Sequence, residues 1–367
     1  MPRGAVAVYS VPGHGFAHSH ERVTRDGVAR RLAALKNFDF IGEYDPTQSR
    51  SGPVYLVPSD TLVGLAAAAA LGVRDEHDLF GGTVPHPFVA TKAISHPLVA
   101  PGATAPAHWS PEFGARVQGA VLAGVTAFSD TDARSAGERL LEHGSVRIKS
   151  VRATGGRGQI VVSDTAALEA VLDTVDAATL FADGIVLEEN LTNVTTFSVG
   201  QVRVADLIAS YYGTQRLTPD NSGTAVYGGS DLVVARGDFE ALAALNPPAD
   251  AQLAVAQARV YDQAAMDCFA GMFASRRNYD IAQGLDATGR LRCGVLEQSW
   301  RIGGASGAEV AALEAFCADR GLRAVRASTV EIYGEAEPPP HATVYFQGAD
   351  ERDGPMTKYA LCEPHHV

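Results

Sequence analysis

Tyr279-Asp280-Ile281, followed by Asp286-Ala287-Thr288-Gly289-Arg290 and then Val295-Leu296-Glu297-Gln298-Ser299-Trp300-Arg301, decides how this chain reads. Asp and Gly in the middle segment favour a tight turn, and apolar residues flank it on both sides, so the stretch reads as a β-hairpin. A turn centred between Thr288 and Gly289 sets Asp280 opposite Glu297, with the register open by one because sequence alone does not fix loop length. Two carboxylates facing each other across a ribbon repel unless a cation lies between them. Mg²⁺ takes oxygen ligands and commonly links a few carboxylates to substrate phosphates. The two-residue strand period adds Ser299 and Arg301 to the Glu297 face, so one strand offers a metal ligand, a hydroxyl and a guanidinium in series. A plainer reading, acidic residues on an exposed hairpin with Arg301 paired to one of them, stays open on these residues alone.

Upstream, Val146-Arg147-Ile148-Lys149 is a strand that runs into a loop containing Gly155, Gly156 and Gly158, with another strand from Ile160. Glycines of this density let backbone N–H groups approach phosphate oxygens and let the loop hinge. The loop joins two strands and does not feed a helix, which argues against Rossmann and Walker sites. Lys149 at the strand end can reach a phosphate as a point charge. A simple turn remains the alternative for the glycines.

The rest of the chain supplies a frame. A strand at 5–11, a helix from about Glu21 to Leu35, a strand Val54–Val57 and an alanine-rich helix ending at Leu71 have the order of a small layered α/β domain. His14, His18 and His20 fall in its first loop and read either as substrate contacts or as surface and capping residues. Asp164 is a helix N-cap for a helix to about Val175. Ile185–Glu188 and Thr196–Val204 read as strands, Thr214–Gly229 as a long loop, and 249–273 and 307–320 as helices whose apolar faces leave a homodimer open.

The 367 residues, 46% hydrophobic, suffice for two or three subdomains. A formal charge of −12 repels phosphate backbones, so nucleic acid is not the expected partner. No apolar run is long enough for a membrane span and no signal segment is evident, which points to a cytoplasmic protein. Cys268, Cys293, Cys317 and Cys362 are widely spaced and read as thiols outside the chemistry.

The order of these elements resembles the ATP-grasp superfamily, which includes biotin carboxylase and D-alanine:D-alanine ligase, and within it an uncharacterised bacterial group. The resemblance implies a mixed α/β and α+β fold: an N-terminal layered α/β (pre-ATP-grasp) domain over 1–90, a linker and start of the grasp region over 91–145, a small lobe over 146–190, a large lobe with the Mg/ATP site over 191–320, and a C-terminal extension over 321–367. It implies ATP and Mg²⁺ as cofactors. Thr91-Lys92 is similar to the family's Asp-Lys opening, placing Lys92 near the phosphates with Thr91 where Asp is usual. Lys149 and Gly155, Gly156 and Gly158 match the lysine and flexible phosphate loop. Glu188, Glu189 and Leu191 match the adenine-binding hinge, the last two acting mainly through their main chains. Asp280 and Glu297 match the metal carboxylates, Ser299 falls where Asn is usual, and Arg301 matches the arginine two residues beyond. Arg216 is a weaker match, for a cation meeting the acyl phosphate or incoming carboxylate. The implied activity joins a small-molecule or peptide carboxylate to an amine through an acyl phosphate, with Lys149, Arg216 and Arg301 stabilising charge. A small-molecule kinase and a non-catalytic nucleotide-binding protein are the alternatives.

Overall fold

The computed structural model describes residues 4–13, 19–48, 52–153 and 158–365. The apolar run at 5–8 becomes β1 (Ala5–Tyr9), flanked by β2 (Asp39–Glu43) and β3 (Val54–Pro58) in a parallel sheet of order β2-β1-β3. Helix α1 (Ser19–Lys36) connects β1 to β2 and buries Val28, Ala29, Leu32 and Ala33 along one stripe, the helical period seen in the sequence. His20 belongs to this helix and not to the loop before it. His14 and His18 lie outside the described residues. β4 (Leu62–Val63), the alanine-rich α2 (Leu65–Ala70) and β5 (Gly82–Val84) follow, then two short 3₁₀ turns over Pro87–Ala90 and Lys92–Ser95, and α3 (Pro111–Val117).

A four-stranded antiparallel sheet of order β6-β9-β7-β8 comes next: β6 (Gly124–Ala127), β7 (Val146–Ser150), β8 (Gln159–Val162) and β9 (Ile185–Glu189). One of its faces carries α4 (Asp130–Leu141), α5 (Thr165–Leu172) and α6 (Ala177–Asp183) around a core of Ile148, Leu168, Leu180 and Leu187. Asp164 starts α5 as expected, accepting the Ala167 N–H at 2.8 Å.

The remaining chain forms an eight-stranded sheet of order β15-β14-β10-β11-β12-β16-β18-β17. Its strands are β10 (Thr192–Val204), β11 (Leu207–Pro219), β12 (Ala225–Arg236), β14 (Arg276–Leu285), β15 (Leu291–Ser299), β16 (Ala324–Tyr333), β17 (Thr343–Asp350) and β18 (Gly354–Pro364); β13 (Phe273–Ala274) pairs instead with β5. Helices α7 (Phe239–Ala243), α8 (Ala249–Cys268) and α9 (Ser306–Ala318) connect them. Alternation along the strands sorts the faces. Phe197, Val199, Tyr279 and Ile281 pack with α8 and α3, whereas Val202, Val204, Val234 and Ala327 share a core with α9 and α1. The last three strands complete this sheet.

The stretch 214–229 is not a long loop. It is most of the β11–β12 hairpin, turned at Asp220, whose carboxylate accepts the N–H groups of Ser222 and Thr224. The Thr, Asn and Gly composition that suggested a loop serves this turn and a bulge at Gly228 of β12, opposite the step from Arg216 to Leu217. At Gly229, with φ at +129°, a Cβ would sit 2.0 Å from the Thr329 carbonyl oxygen, so only glycine fits. Among the described residues, no helix is long and apolar enough to cross a membrane.

Candidate active site

The hairpin of β14 and β15 closes on Asp286–Arg290, with Leu285 opposite Leu291 and Ile281 opposite Val295. Its turn centres on Thr288, one half-step from the expected position. Leu296 is then an extra residue on β15, and beyond it Asp280 faces Glu297 and Asn278 faces Ser299. The expected facing is therefore reached through a bulge. A bulge reorients side chains: here Leu296 and Glu297, adjacent in sequence, both line the same cavity. Ser299 and Arg301 line it too, while Gln298 and Trp300 turn inward, Gln298 accepting from Tyr261 at 2.9 Å and Trp300 donating to the Tyr279 hydroxyl at 3.2 Å.

This cavity, about 600 Å³, lies between the four-stranded sheet and the α9 face of the large sheet. The first 3₁₀ turns bring Lys92 into it. Thr91 caps that turn by accepting the Ala93 N–H, and the Lys92 ammonium lies 2.6 Å from Glu297 Oε2 while donating to the Ala153 carbonyl at 2.8 Å. Lys149, on β7, reaches the cavity from the opposite sheet and is ion-paired to Glu188 on β9. Glu188 is fully buried, and its other oxygen lies 3.0 Å from His96 Nε2. Burial alone would push the Glu188 carboxyl up; the Lys149 ammonium and the His96 ring outweigh it and pull it down to about 2.

Asp280 behaves in the opposite way. Burial first, and then the negative charge of Glu297, push its carboxyl up to about 6, against hydrogen bonds from Gln215 and Asn278. Asn278 donates to Asp280 Oδ1 at 2.9 Å, and Gln215 donates to Ser198, whose hydroxyl lies 3.5 Å from the same oxygen. A carboxyl held above its ordinary range by a neighbouring carboxylate is one that a cation would relieve. Among the described residues no group of three or more His, Cys, Asp and Glu side chains gathers as a metal site. Two carboxylates without a third protein ligand suit a Mg²⁺ ion that also keeps water and phosphate oxygens.

Ser299 has a different neighbour than its strand position suggested. Its hydroxyl accepts from Arg276 Nη1 at 3.2 Å, which makes it a weak partner for a cation. Arg276, 1% exposed, also donates to the Ser299 carbonyl and makes a bidentate pair with the fully buried Glu309 of α9, with Nε–O distances of 3.1 and 3.0 Å. Sequence reading missed Arg276, Asn278, Gln215 and His96. The period-two pattern Arg276-Asn278-Asp280 on one strand was the available signal for two of them.

Arg301 sits at the rim, 3.6 Å from Asp60 in the bend after β3, and donates to the Ile302 carbonyl. Lys92, Glu297, Ser299 and Arg301 also line a second cavity of about 490 Å³ that opens toward Tyr9, Val11 and Leu62. Arg216 is not brought to either cavity: it pairs with Asp231 at 3.0 Å and donates to the Thr329 carbonyl. Its neighbours Gln215 and Leu217 take the inward positions. Glu189 lines the cavity, with its carboxylate held by Arg292 and by the Ala123 N–H. Gly155 and Gly156 lie outside the described residues, and Gly158 precedes β8 with φ at +65°.

Between the sheets, Leu122, Leu191, Ala282 and Leu296 form an apolar patch within the cavity. Leu122 is brought there because the 120–122 segment lies directly on β15. The Val295 N–H donates to the Ala120 carbonyl at 2.8 Å, and at Gly294 a Cβ would be 2.5 Å from the Leu122 nitrogen. The cavity thus has an apolar slot, a belt of two lysines and two facing carboxylates, and a far end on β16 and β18.

Solved structures of similar fold include N5-carboxyaminoimidazole synthetase from Staphylococcus aureus complexed with ADP, at 11% identity over 98% of this chain and 93% of that one, TM-score 0.54. The biotin carboxylase domain of the Hydrogenobacter thermophilus 2-oxoglutarate carboxylase, in complex with MgADP, ADP and bicarbonate, matches at 12% identity over 98% and 86%, TM-score 0.50. Phosphoribosylamine–glycine ligase from Thermotoga maritima matches at 11% identity over 98% and 92%, TM-score 0.50. At these identities the likeness is one of fold. No curated protein matches the chain. A family model described as protein of unknown function, DUF3182, spans residues 8–360. With the architecture of the ATP-grasp enzymes and a match over nearly its whole length, the chain belongs to the DUF3182 family.

Proposed function

We propose that this protein is an ATP- and Mg²⁺-dependent ligase that activates a carboxylate as an acyl phosphate and passes it to an amine. The observation that carries the reading is the convergence of Lys92, Lys149, Asp280 and Glu297 on one cavity beside the Leu122–Leu191–Leu296 slot. The slot suits a planar apolar ring and lies beside the C-terminal end of β9, where Glu188, Glu189 and Leu191 line the cavity. Lys92 and Lys149 are already dehydrated and pinned, so they hold polyphosphate charge with little reorganisation. Asp280 and Glu297 would hold Mg²⁺, which neutralises phosphate charge and orients the triphosphate when bound.

In this reading residues 146–190 are the small lobe covering the nucleotide. Lys92 exchanges Glu297 for a phosphate oxygen as the triphosphate enters, and Arg301 at the junction of the two cavities orients the substrate carboxylate. A carboxylate oxygen forms the new bond to the γ-phosphorus while the bond to ADP breaks. The amine nitrogen then bonds to the acyl carbon, the bond from that carbon to the phosphate oxygen breaks to release inorganic phosphate, and the nitrogen's proton goes to solvent. No protein nucleophile is required. Ser299, held by Arg276, has a supporting part in this scheme, and Arg216 has none at the reacting atoms.

The test is titration of the protein with ADP and with a non-hydrolysable ATP analogue, with and without Mg²⁺, by calorimetry, followed by a carboxylate-and-amine screen for ADP release. Mg²⁺ should tighten nucleotide binding in the wild type and not in Glu297→Gln. Equal Mg²⁺ dependence in that variant, or unchanged ADP release, would refute the assignment.

A further inference from the structure

At the end of the cavity away from the lysine belt, Glu331 on β16 and Lys358 on β18 are directly opposed across the ladder. Their charged atoms are 3.0 Å apart, and their side chains are 15% and 10% exposed. A cross-strand ion pair on an outer face is ordinary sheet chemistry. This one faces inward, into the same cavity as Asp280 and Lys149, where removing two charges from water is costly unless something else depends on them.

Tyr227 links the two regions. Burial holds its phenol well above the ordinary value, and the charges of Glu331 and Asp280 both add to this, so the ring stands within the field of both carboxylates. Its hydroxyl lies 2.7 Å from Ser230 Oγ. Gly304 lies close against the ring: a Cβ there would be 2.5 Å from it. The Glu331–Lys358 pair therefore sits next to, and not within, the carboxylate pair assigned to the metal.

We infer that this far end is the acceptor subsite, and that it takes a zwitterionic, amino-acid-like amine, its ammonium against Glu331 and its carboxylate against Lys358. The inference rests on the ligase reading for its role but on its own geometry for its ligand. A ligand carrying only a carboxylate would engage Lys358 and leave Glu331 facing a desolvated site. A ligand carrying only an amine would do the reverse. Only a molecule presenting both charges close together replaces one ion pair by a closed set of four alternating charges. Glu21 and Asp353 line the same end, the latter 3.0 Å from His20, so the surroundings favour the ammonium side of such a ligand.

The experiment uses the full chain, free and loaded with MgADP, titrated by calorimetry and ligand-observed NMR. The probes are the twenty L-amino acids and a set of dipeptides, set against propionate and succinate as carboxylates and propylamine and putrescine as amines. At least one zwitterion should saturate, and every monofunctional analogue should bind about tenfold more weakly or worse. Glu331→Gln and Lys358→Met should each weaken the zwitterion by about tenfold or more while MgADP affinity stays unchanged. The exchanged pair, Glu331→Lys with Lys358→Glu, keeps the cross-strand attraction and hence the fold, and should lose the zwitterion as well; a purely structural pair would tolerate the exchange. The inference is overturned if no zwitterion saturates, if propionate or propylamine binds as tightly, or if the exchanged protein binds as the wild type does. Failure of MgADP to bind would count against the nucleotide reading alone, because the titrations of the free protein still decide this one.

Discussion

Replacing Glu188 by Gln tests the buried lysine belt most directly. In the folded protein Lys149 and His96 hold the Glu188 carboxyl at about 2 instead of its ordinary 4.5. A group whose folded value is depressed contributes stability that is complete above the unfolded value and is lost as pH falls toward the folded one. The displacement corresponds to about 3 kcal/mol at neutral pH, and to roughly half of that at about pH 3. Gln keeps the shape and can still accept from one partner, but it leaves Lys149, 2% exposed, without its counter-charge. The variant should therefore be less stable than the wild type by about 3 kcal/mol at pH 7, as for other buried pairs broken on one side. The gap should narrow by about 2 kcal/mol on going to about pH 3. Urea unfolding of both proteins at the two pH values, followed by fluorescence, measures it. A gap of the same size at both would refute the argument, since it would mean that shape and not charge is what Glu188 contributes.

Three further substitutions probe the rest of the site. Asp280, pushed from 3.8 up to about 6, binds its proton more tightly when folded, so without metal the wild type loses stability as pH rises from about 4 through about 6. Asp280→Asn should abolish this loss, gain up to about 3 kcal/mol at pH 8 without metal and lose the Mg²⁺ response of nucleotide binding, all readable in thermal melts at pH 5 and 8. Gly294→Val drives a side chain into the Leu122 backbone and should cost about 1–3 kcal/mol while weakening MgADP through the displaced Leu122, measured by melting and calorimetry. Arg216→Ala removes a half-exposed pair with Asp231 and one hydrogen bond to the Thr329 carbonyl, so urea titration should show a change of about 1 kcal/mol, with nucleotide affinity unchanged.

What the sequence disclosed follows from periodicity and local chemistry. The strand at 5–9, the helices at 19–36, 249–268 and 306–318, and the Asp164 cap all carry their signal within a few residues. The facing of Asp280 and Glu297 was legible in the turn residues, although the bulge that delivers it was not, since nothing about Leu296 marks it as extra. The polar 130–141 segment hid α4: Ser129 caps it, but its buried face rests on Ala133, Ala136 and Gly137, too small to raise an apolar signal. Long-range partners were hidden altogether. His96 and Glu188, or Arg276 and Glu309, meet only once the sheets are assembled. Arg216 stands off the cavity for a simpler reason: alternation along β11 puts Gln215 and Leu217 on the inward side and Arg216 on the other.

The extra residue at position 296 lies between the tip of the ribbon and its two acidic groups, and it acts as slack in the strand. Spacing on the far side of it is anchored by β10, where Ser198 sits beside Asp280. The tip is therefore free to change length or composition while the acidic pair stays aligned, and relatives differing at 286–290 should keep the pair in place by moving or deleting that one residue. Counting inward from the tip would then misidentify the facing residues, whereas counting outward from Trp300, locked to Tyr279, would find them.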